Sequence, residues 1–324
     1  MKLTTNYLGL ELKNPLIVSS SGLTNSVKKI KKLESVGAGA VVLKSLFEEQ
    51  INRDALDMIK ESDYPEAEDY ILNYTKNNTV EHYLRLIEEA KSAVDIPIIA
   101  SINCMSSKEW LSFAKSIEKA GADALELNVY FLPDNIHENG YLYEQIYDDI
   151  LVNLSKKINI PLSVKIGQHF TNIPAFVKNL RGRGAQGVVL FNRFYAPDID
   201  VDSMTFTSSD VFSHPADLRQ SLRWVGIVSS LVKNINICAS TGVHDGIAVV
   251  KQLLAGATAV QVCSTLYKNG PEYVGNIIQE LEEWMKKHNF KSIDDFRGRM
   301  SYKNIPDPTI FERSQFMKYF SSIQ

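Results

Sequence analysis

The chain has 324 residues, 44% hydrophobic and 23% charged, with a formal net charge of −3. That is ordinary globular composition, and it excludes the basic footprint of a nucleic-acid binder. No apolar run reaches the ~18 residues of a membrane span, and the first residues lack the apolar core of a signal peptide, so no membrane association is expected.

Residues 1–14 read as a small hairpin turning near Gly9. Eight short apolar runs follow, at 15–18, 40–43, 97–102, 124–129, 161–165, 187–192, 235–239 and 259–262. Between them, stretches such as 80–93, 108–120 and 246–255 space apolar residues three and four apart, as helices do. Turns of small residues around Gly121, Gly184 and Gly256 lead from helix back to strand. Strand–helix alternation implies a parallel sheet with helical crossovers. Eight units favour an α/β fold of (β/α)8 TIM-barrel type, with residues 1–324 as one domain. Long loops at 46–79, 130–146 and 193–220 all follow strands. They would emerge on the carboxyl face, where barrel active sites lie.

Two lysines break the apolar pattern. Lys44 ends the second run and Lys165 the fifth. A parallel strand is apolar on both faces, and lysine is almost never fully buried without a partner. One strand-end lysine can snorkel to solvent; two at equivalent places point to a ligand. The remaining strand ends are polar as well: Ser19-Ser20-Ser21-Gly22, Ser45, Ser101, Asn128, Asn192-Arg193, Ser240-Thr241-Gly242 and Cys263-Ser264-Thr265. Their convergence suits a polar, flat ligand at the barrel mouth. Barrels often hold phosphate in the loops after strands seven and eight, aided by a short helix N-terminus. A turn glycine with an N-cap hydroxyl gives the same pattern without a ligand, but beside the lysines it favours a phosphorylated cofactor. The three cysteines, Cys104, Cys238 and Cys263, are widely spaced. They read as reduced thiols of a cytoplasmic protein, not as a disulfide frame or a metal site.

Taken with Lys44-Ser45, Glu126-Leu127-Asn128, Val164-Lys165, Leu190-Phe191-Asn192, Ser240-Thr241-Gly242-Val243 and Gln261-Val262, the sequence resembles the dihydroorotate dehydrogenases, most nearly their soluble class 1 branch. The resemblance runs from about Leu8 to Met285. It implies an FMN-binding barrel that oxidises dihydroorotate to orotate in pyrimidine biosynthesis. It implies that Ser20, Ser21, Lys44, Ser45, Asn128 and Lys165 line the flavin. The backbone at Phe191, Thr241, Gly242, Cys263 and Ser264 would hold the ring edge and phosphate. Lys44, Ser101, Asn128, Asn192 and Arg193 would meet the planar substrate. The expected partners are that small molecule and a second copy of the chain in a homodimer, with an electron-transfer subunit as a further possibility.

The pattern departs from the family in one place. The class 1 branch carries a cysteine base in a loop reading Asn-x-Ser-Cys-Pro-Asn. Here the loop reads Asn128-Val129-Tyr130-Phe131-Leu132-Pro133-Asp134-Asn135. Phe131 or Leu132 falls at the cysteine position, and neither accepts a proton. Tyr130 stands in the right loop, but a phenol is a better proton donor than acceptor near neutral pH. His137, His169, His214 and His244 occupy rim loops as alternative bases. The glycine-containing substrate loop after strand two has no counterpart around Asn73 to Asn78. Two alternatives to dihydroorotate oxidation stay open: an FMN-dependent reductase or dehydrogenase of another ring or activated alkene, with Tyr130 as proton donor, and a flavin-binding electron relay without turnover.

Overall fold

A computed structural model describes residues 1–47, 68–103, 109–193, 197–208 and 210–312; of 68–77, 109–110 and 112 it describes the backbone alone. The barrel strands are β3 (Leu16–Val18), β4 (Ala40–Val42), β6 (Ile98–Asn103), β7 (Ala124–Asn128), β8 (Leu162–Ile166), β9 (Gly187–Leu190), β12 (Asn236–Ala239) and β13 (Ala259–Val262). All neighbours pair in parallel, β3 joins both β4 and β13, and β4 pairs β6, so the eight strands close. A short β5 (Leu46–Phe47) adds to β6.

The helices are α1 (Val27–Ser35), α2 (Glu68–Ala93), α3 (Glu109–Lys119), α4 (Gly140–Ser155), α5 (Ile173–Gly182), α6 (Leu218–Leu231), α7 (Gly246–Ala255), α8 (Ser264–Asn269) and α9 (Tyr273–Lys287). Two begin earlier than the sequence pattern indicates. Helix α2 starts at Glu68, through the Asn- and Thr-rich stretch, because extending a helix avoids the cost of nucleating one. Helix α4 starts at Gly140, because the Asn139 side chain caps it by accepting from Leu142 N at 3.2 Å. Most of the 46–79 excursion, and Cys104, lie outside the described residues. The 193–220 segment carries an antiparallel hairpin, β10 (Pro197–Asp200) and β11 (Thr205–Ser208), exposed throughout.

Side chains alternate across each strand. One set, including Val18, Val41, Leu125, Leu127 and Val164, packs outward into the core shared with the helices. The other set fills the barrel's amino end. Ile17, Val42, Ile99, Ala124, Val189, Cys238 and Ala259 meet Tyr7, Leu8 and Leu12 of the N-terminal hairpin, β1 (Thr5–Tyr7) and β2 (Leu10–Leu12). Its turn, Leu8–Gly9, has positive φ at both residues, as two-residue type I′ hairpins require. Gly187 lets the plug in: a Cβ there would lie 2.6 Å from Leu8 Cδ2. The plug is fastened to late parts of the chain. Thr5 Oγ1 donates to Thr258 O at 3.0 Å and accepts from Arg297 Nη2 at 2.7 Å.

Candidate active site

Above the apolar plug the inward positions turn polar. Lys165 on β8, 7% exposed, donates to Ser19 Oγ at 3.1 Å and to Gln261 Oε1 at 2.8 Å. Gln261 Nε2 donates to Glu126 Oε2 at 2.6 Å, and Glu126 Oε1 lies 4.0 Å from Lys165 Nζ. Glu126 is 1% exposed, so burial raises its carboxyl above the ordinary range, while the Lys165 charge and the Gln261 bond pull it back down.

A second polar chain runs beside it. Ser45 Oγ bonds Ser20 Oγ at 2.9 Å and Ser101 Oγ at 2.7 Å, and Ser45 N donates to Ser20 Oγ at 2.8 Å. Tyr83 on α2 fixes Ser101 from outside the barrel, its hydroxyl donating to Ser101 O at 3.0 Å and accepting from Ser101 N at 2.8 Å. Asn192 Nδ2 donates to Asn128 Oδ1 at 2.7 Å.

A cavity of about 580 Å³ opens at the carboxyl end, within the size range of ligand sites. Ser19, Lys165 and Gln261 line it from the buried tier, with the half-buried Ser20 beside them and Asn192, Arg193, Thr241, Gly242, Cys263 and Ser264 from the strand ends. Thr241 and Gly242 both have positive φ, and Thr241 Oγ1 donates to Phe191 O at 3.0 Å. Gly242 is required where it stands: a Cβ would lie 2.1 Å from Leu218 N, at the start of α6. The backbone here is therefore bare and close to the cavity, which suits a phosphate.

The loop before α6 borders the same cavity. Arg193 donates to Asp210 O at 2.7 Å and to Val211 O. Asp210 bonds His214 Nε2 at 2.6 Å, and that bond and charge hold its carboxyl below the usual range. Ser213 N donates to Ser264 Oγ at 3.0 Å, and Ser213 Oγ meets His244 Nε2 at 3.1 Å. Burial, then the charge of Lys268, lowers His244 and favours its neutral form.

The structure thus brings Ser20, Lys165, Asn192, Arg193, Thr241, Gly242, Cys263 and Ser264 to one cavity. Ser45, Ser101, Asn128 and the buried Phe191 support it through hydrogen bonds. Ser21 caps the 3-10 turn Gly22–Thr24, accepting from Leu23 N at 3.2 Å. Lys44 is exposed and does not line the cavity. Strand β4 ends at Val42, regular alternation stops there, and Ser45 takes the inward place instead.

Tyr130 also lies apart from it. With Phe131, His169 and Phe170 it lines a separate pocket of about 290 Å³. Phe131 packs edge-on to Tyr147, with ring centroids 6.2 Å apart at 76°. Leu132 and His137 are exposed. The sequence pattern places Ser19 only among the polar strand ends and assigns no role to Glu126 or Gln261. Glu126 and Gln261 carry a readable signal, since Gln261 is the lone polar residue of its apolar run and Glu126 is the lone charge of its own, the same anomaly that singles out the lysines.

The arrangement fits a phosphorylated planar cofactor, with a cation at one end and bare backbone and hydroxyls at the other. No group of three His, Cys, Asp or Glu among the described residues could hold a metal ion, and no described helix is long and apolar enough to cross a membrane. A family model described as dihydroorotate dehydrogenase matches residues 2–285. The chain is 28% identical to a dihydroorotate dehydrogenase B (NAD(+)) catalytic subunit of Thermoplasma volcanium, over 91% of this chain and 97% of that one. It is 29% identical to the protein of the same description in Methanothermobacter thermautotrophicus, again over 91% and 97%. A third, in Methanocaldococcus jannaschii, is 25% identical over 89% and 94%. With the match running from the N-terminal plug to the last helix of the barrel, the chain belongs to the dihydroorotate dehydrogenase family.

Proposed function

We propose that the chain binds FMN at the barrel mouth and oxidises a dihydroorotate-like ring across its CH–CH bond, yielding orotate for pyrimidine biosynthesis. The observation that carries this is Lys165. Two of its three N–H donors are held by Ser19 and Gln261, and the residue still lines the cavity. Relatives described as dihydroorotate dehydrogenases over nearly their whole length support the substrate.

FMN would supply the hydride acceptor. Lys165 would stabilise negative charge at the carbonyl edge of the ring. Ser20, Ser21 and Ser45 would line the ring, and the backbone at Phe191, Thr241, Gly242, Cys263 and Ser264 would hold its edge and phosphate. Asn128 and Asn192 would offer amide donors and acceptors to an imide-like substrate, with Ser101 and Arg193 beside them. Lys44 would have to turn inward from the rim to join them. We place the protein in the cytoplasm as a homodimer, the unpaired thiols of Cys238 and Cys263 supporting a reducing setting. The description of its relatives as catalytic subunits supports an electron-transfer partner.

One observation favours a second reading, an FMN-dependent reductase of another ring or an activated alkene. The position of the family's base is Phe131, packed among aromatic rings, or Leu132, exposed, and neither accepts a proton. Reduction needs a proton donor; Tyr130 has a hydroxyl in that loop but lines the separate pocket, and would have to turn toward the main cavity to serve.

Purified protein is expected to carry a flavin spectrum, or to gain one with FMN, and to form orotate with one of several electron acceptors. Colourless protein after incubation with FMN overturns the cofactor. Flavin-loaded protein that makes no orotate but reduces other rings or alkenes selects the second reading. Slow flavin reduction by every substrate selects an electron relay.

A further inference from the structure

Glu126 stands behind the cavity, not in it, and is joined to it only through its neighbours. Neutralising Lys165 would by itself favour direct contact between ammonium and carboxylate. Instead Gln261 bridges them, accepting from Lys165 Nζ and donating to Glu126 Oε2. The second oxygen, Oε1, is buried, 4.0 Å from Lys165 Nζ, and has no hydrogen-bond partner. A proton placed on Oε1 would break no existing bond. The Gln261 donor serves a carboxylate and a carboxylic acid alike, so the network survives both charge states.

We infer that Glu126 is a positioning residue whose Oε1 gains or loses a proton, switching the Lys165–Glu126 pair between neutral and +1 toward whatever the cavity holds. The titratable groups facing Glu126 from other elements are Lys165 on β8, Tyr7 on the hairpin, Cys238 on β12 and Tyr83 on α2. Burial pushes the two tyrosines and the cysteine up, which keeps them neutral. Lys165 and Glu126 are therefore the charged pair.

This inference rests on the FMN reading. FMN held at this cavity would supply the hydride acceptor, and for each hydride accepted the site would gain one negative charge. Glu126 takes one solvent proton, forming one O–H bond, and the charge inside the barrel is balanced.

Glu126→Gln keeps an acceptor for Gln261 and fixes the pair at +1. The test is the midpoint potential of the FMN-loaded protein, titrated spectroelectrochemically across the neutral pH range. The wild type is expected to bind one more proton per electron pair than Glu126→Gln, a slope steeper by about 30 mV per pH unit. Flavin-loaded proteins with equal slopes overturn the inference and leave the cofactor reading standing. Protein that never takes up FMN overturns both. If Glu126→Gln does not fold, infrared difference spectra of wild-type holoprotein decide the matter. Reduction is expected to bring up the C=O stretch of a protonated carboxylic acid that moves with isotopic labelling of glutamate, and its absence overturns the inference.

Discussion

Replacing Lys165 by methionine strands the Glu126 carboxylate inside the barrel. The two groups are 7% and 1% exposed and 4.0 Å apart. At that separation their attraction is about 4 kcal/mol at an effective dielectric near 20. Removing one partner of such a pair costs about 3–5 kcal/mol, because the other charge is left buried. For a chain of this length each kcal/mol lowers the midpoint by roughly 1.5 °C, so Lys165→Met is expected to melt ~4–8 °C below wild type. The double variant Lys165→Met/Glu126→Gln removes the stranded charge and is expected to recover at least about 2 kcal/mol. Calorimetry on flavin-free protein is the assay, since ligand binding would add its own stabilisation to the wild type alone. The deficit of Lys165→Met is expected to shrink as pH falls, when the stranded carboxyl takes a proton. A single variant that melts with the wild type, or a double variant no better than the single, refutes the reasoning.

Gly242→Ala places a side chain at φ +78° against Leu218 N. Left-handed strain of ~1–2 kcal/mol and overpacking of ~1–3 kcal/mol add, so urea unfolding is expected to show about 2–5 kcal/mol lost. FMN fluorescence titration of the same variant is expected to show at least about tenfold weaker binding, through the displaced loop. Phe131→Cys, which puts a thiol at one of the two positions that match the family's base, is expected to give no gain in orotate formation, because residue 131 faces Tyr143 and Tyr147 and not the main cavity; a clear gain would show that the loop can turn inward. Glu126 also sets a pH dependence. Its folded value is raised above 4.5, so its stabilisation is present in full below about 4.5 and is lost as pH rises through the raised value. Urea unfolding at a series of pH values is expected to show wild type losing stability relative to Glu126→Gln on going from acid to neutral, and the opposite trend would contradict the raised value.

The barrel was legible because its strands are buried on both faces, so each is a short apolar run between small-residue turns. Much of the site was legible for the complementary reason: polar residues at those strand ends have little purpose unless they converge. Lys165 followed that logic and Lys44 did not. The difference between them is where the strand stops, and nothing in Ala40-Val41-Val42-Leu43-Lys44 marks Val42 as the last residue in register. Glu126 and Gln261 are a charge and an amide that need a partner, and the motifs they sit in do not show which. That partnership joins β7, β8 and β13, and pairing across strands so far apart in the chain cannot be read from local pattern. The placement of Phe131 depends likewise on rings from α4, Tyr143 and Tyr147, which the loop sequence does not announce.

The N-terminal plug makes barrel closure a late event in the life of the chain. Thr5 is synthesised long before its partners Thr258 and Arg297, which lie 253 and 292 positions further along. Contacts of such long range form slowly and leave earlier segments waiting. Until β13 has left the ribosome, Tyr7, Leu8 and Leu12 have only part of the wall they seal, and until residue 297 follows, Thr5 lacks its second fastening. The nascent barrel is then open at its amino end, its apolar lining exposed and in need of protection until the last strand and the segment after α9 arrive.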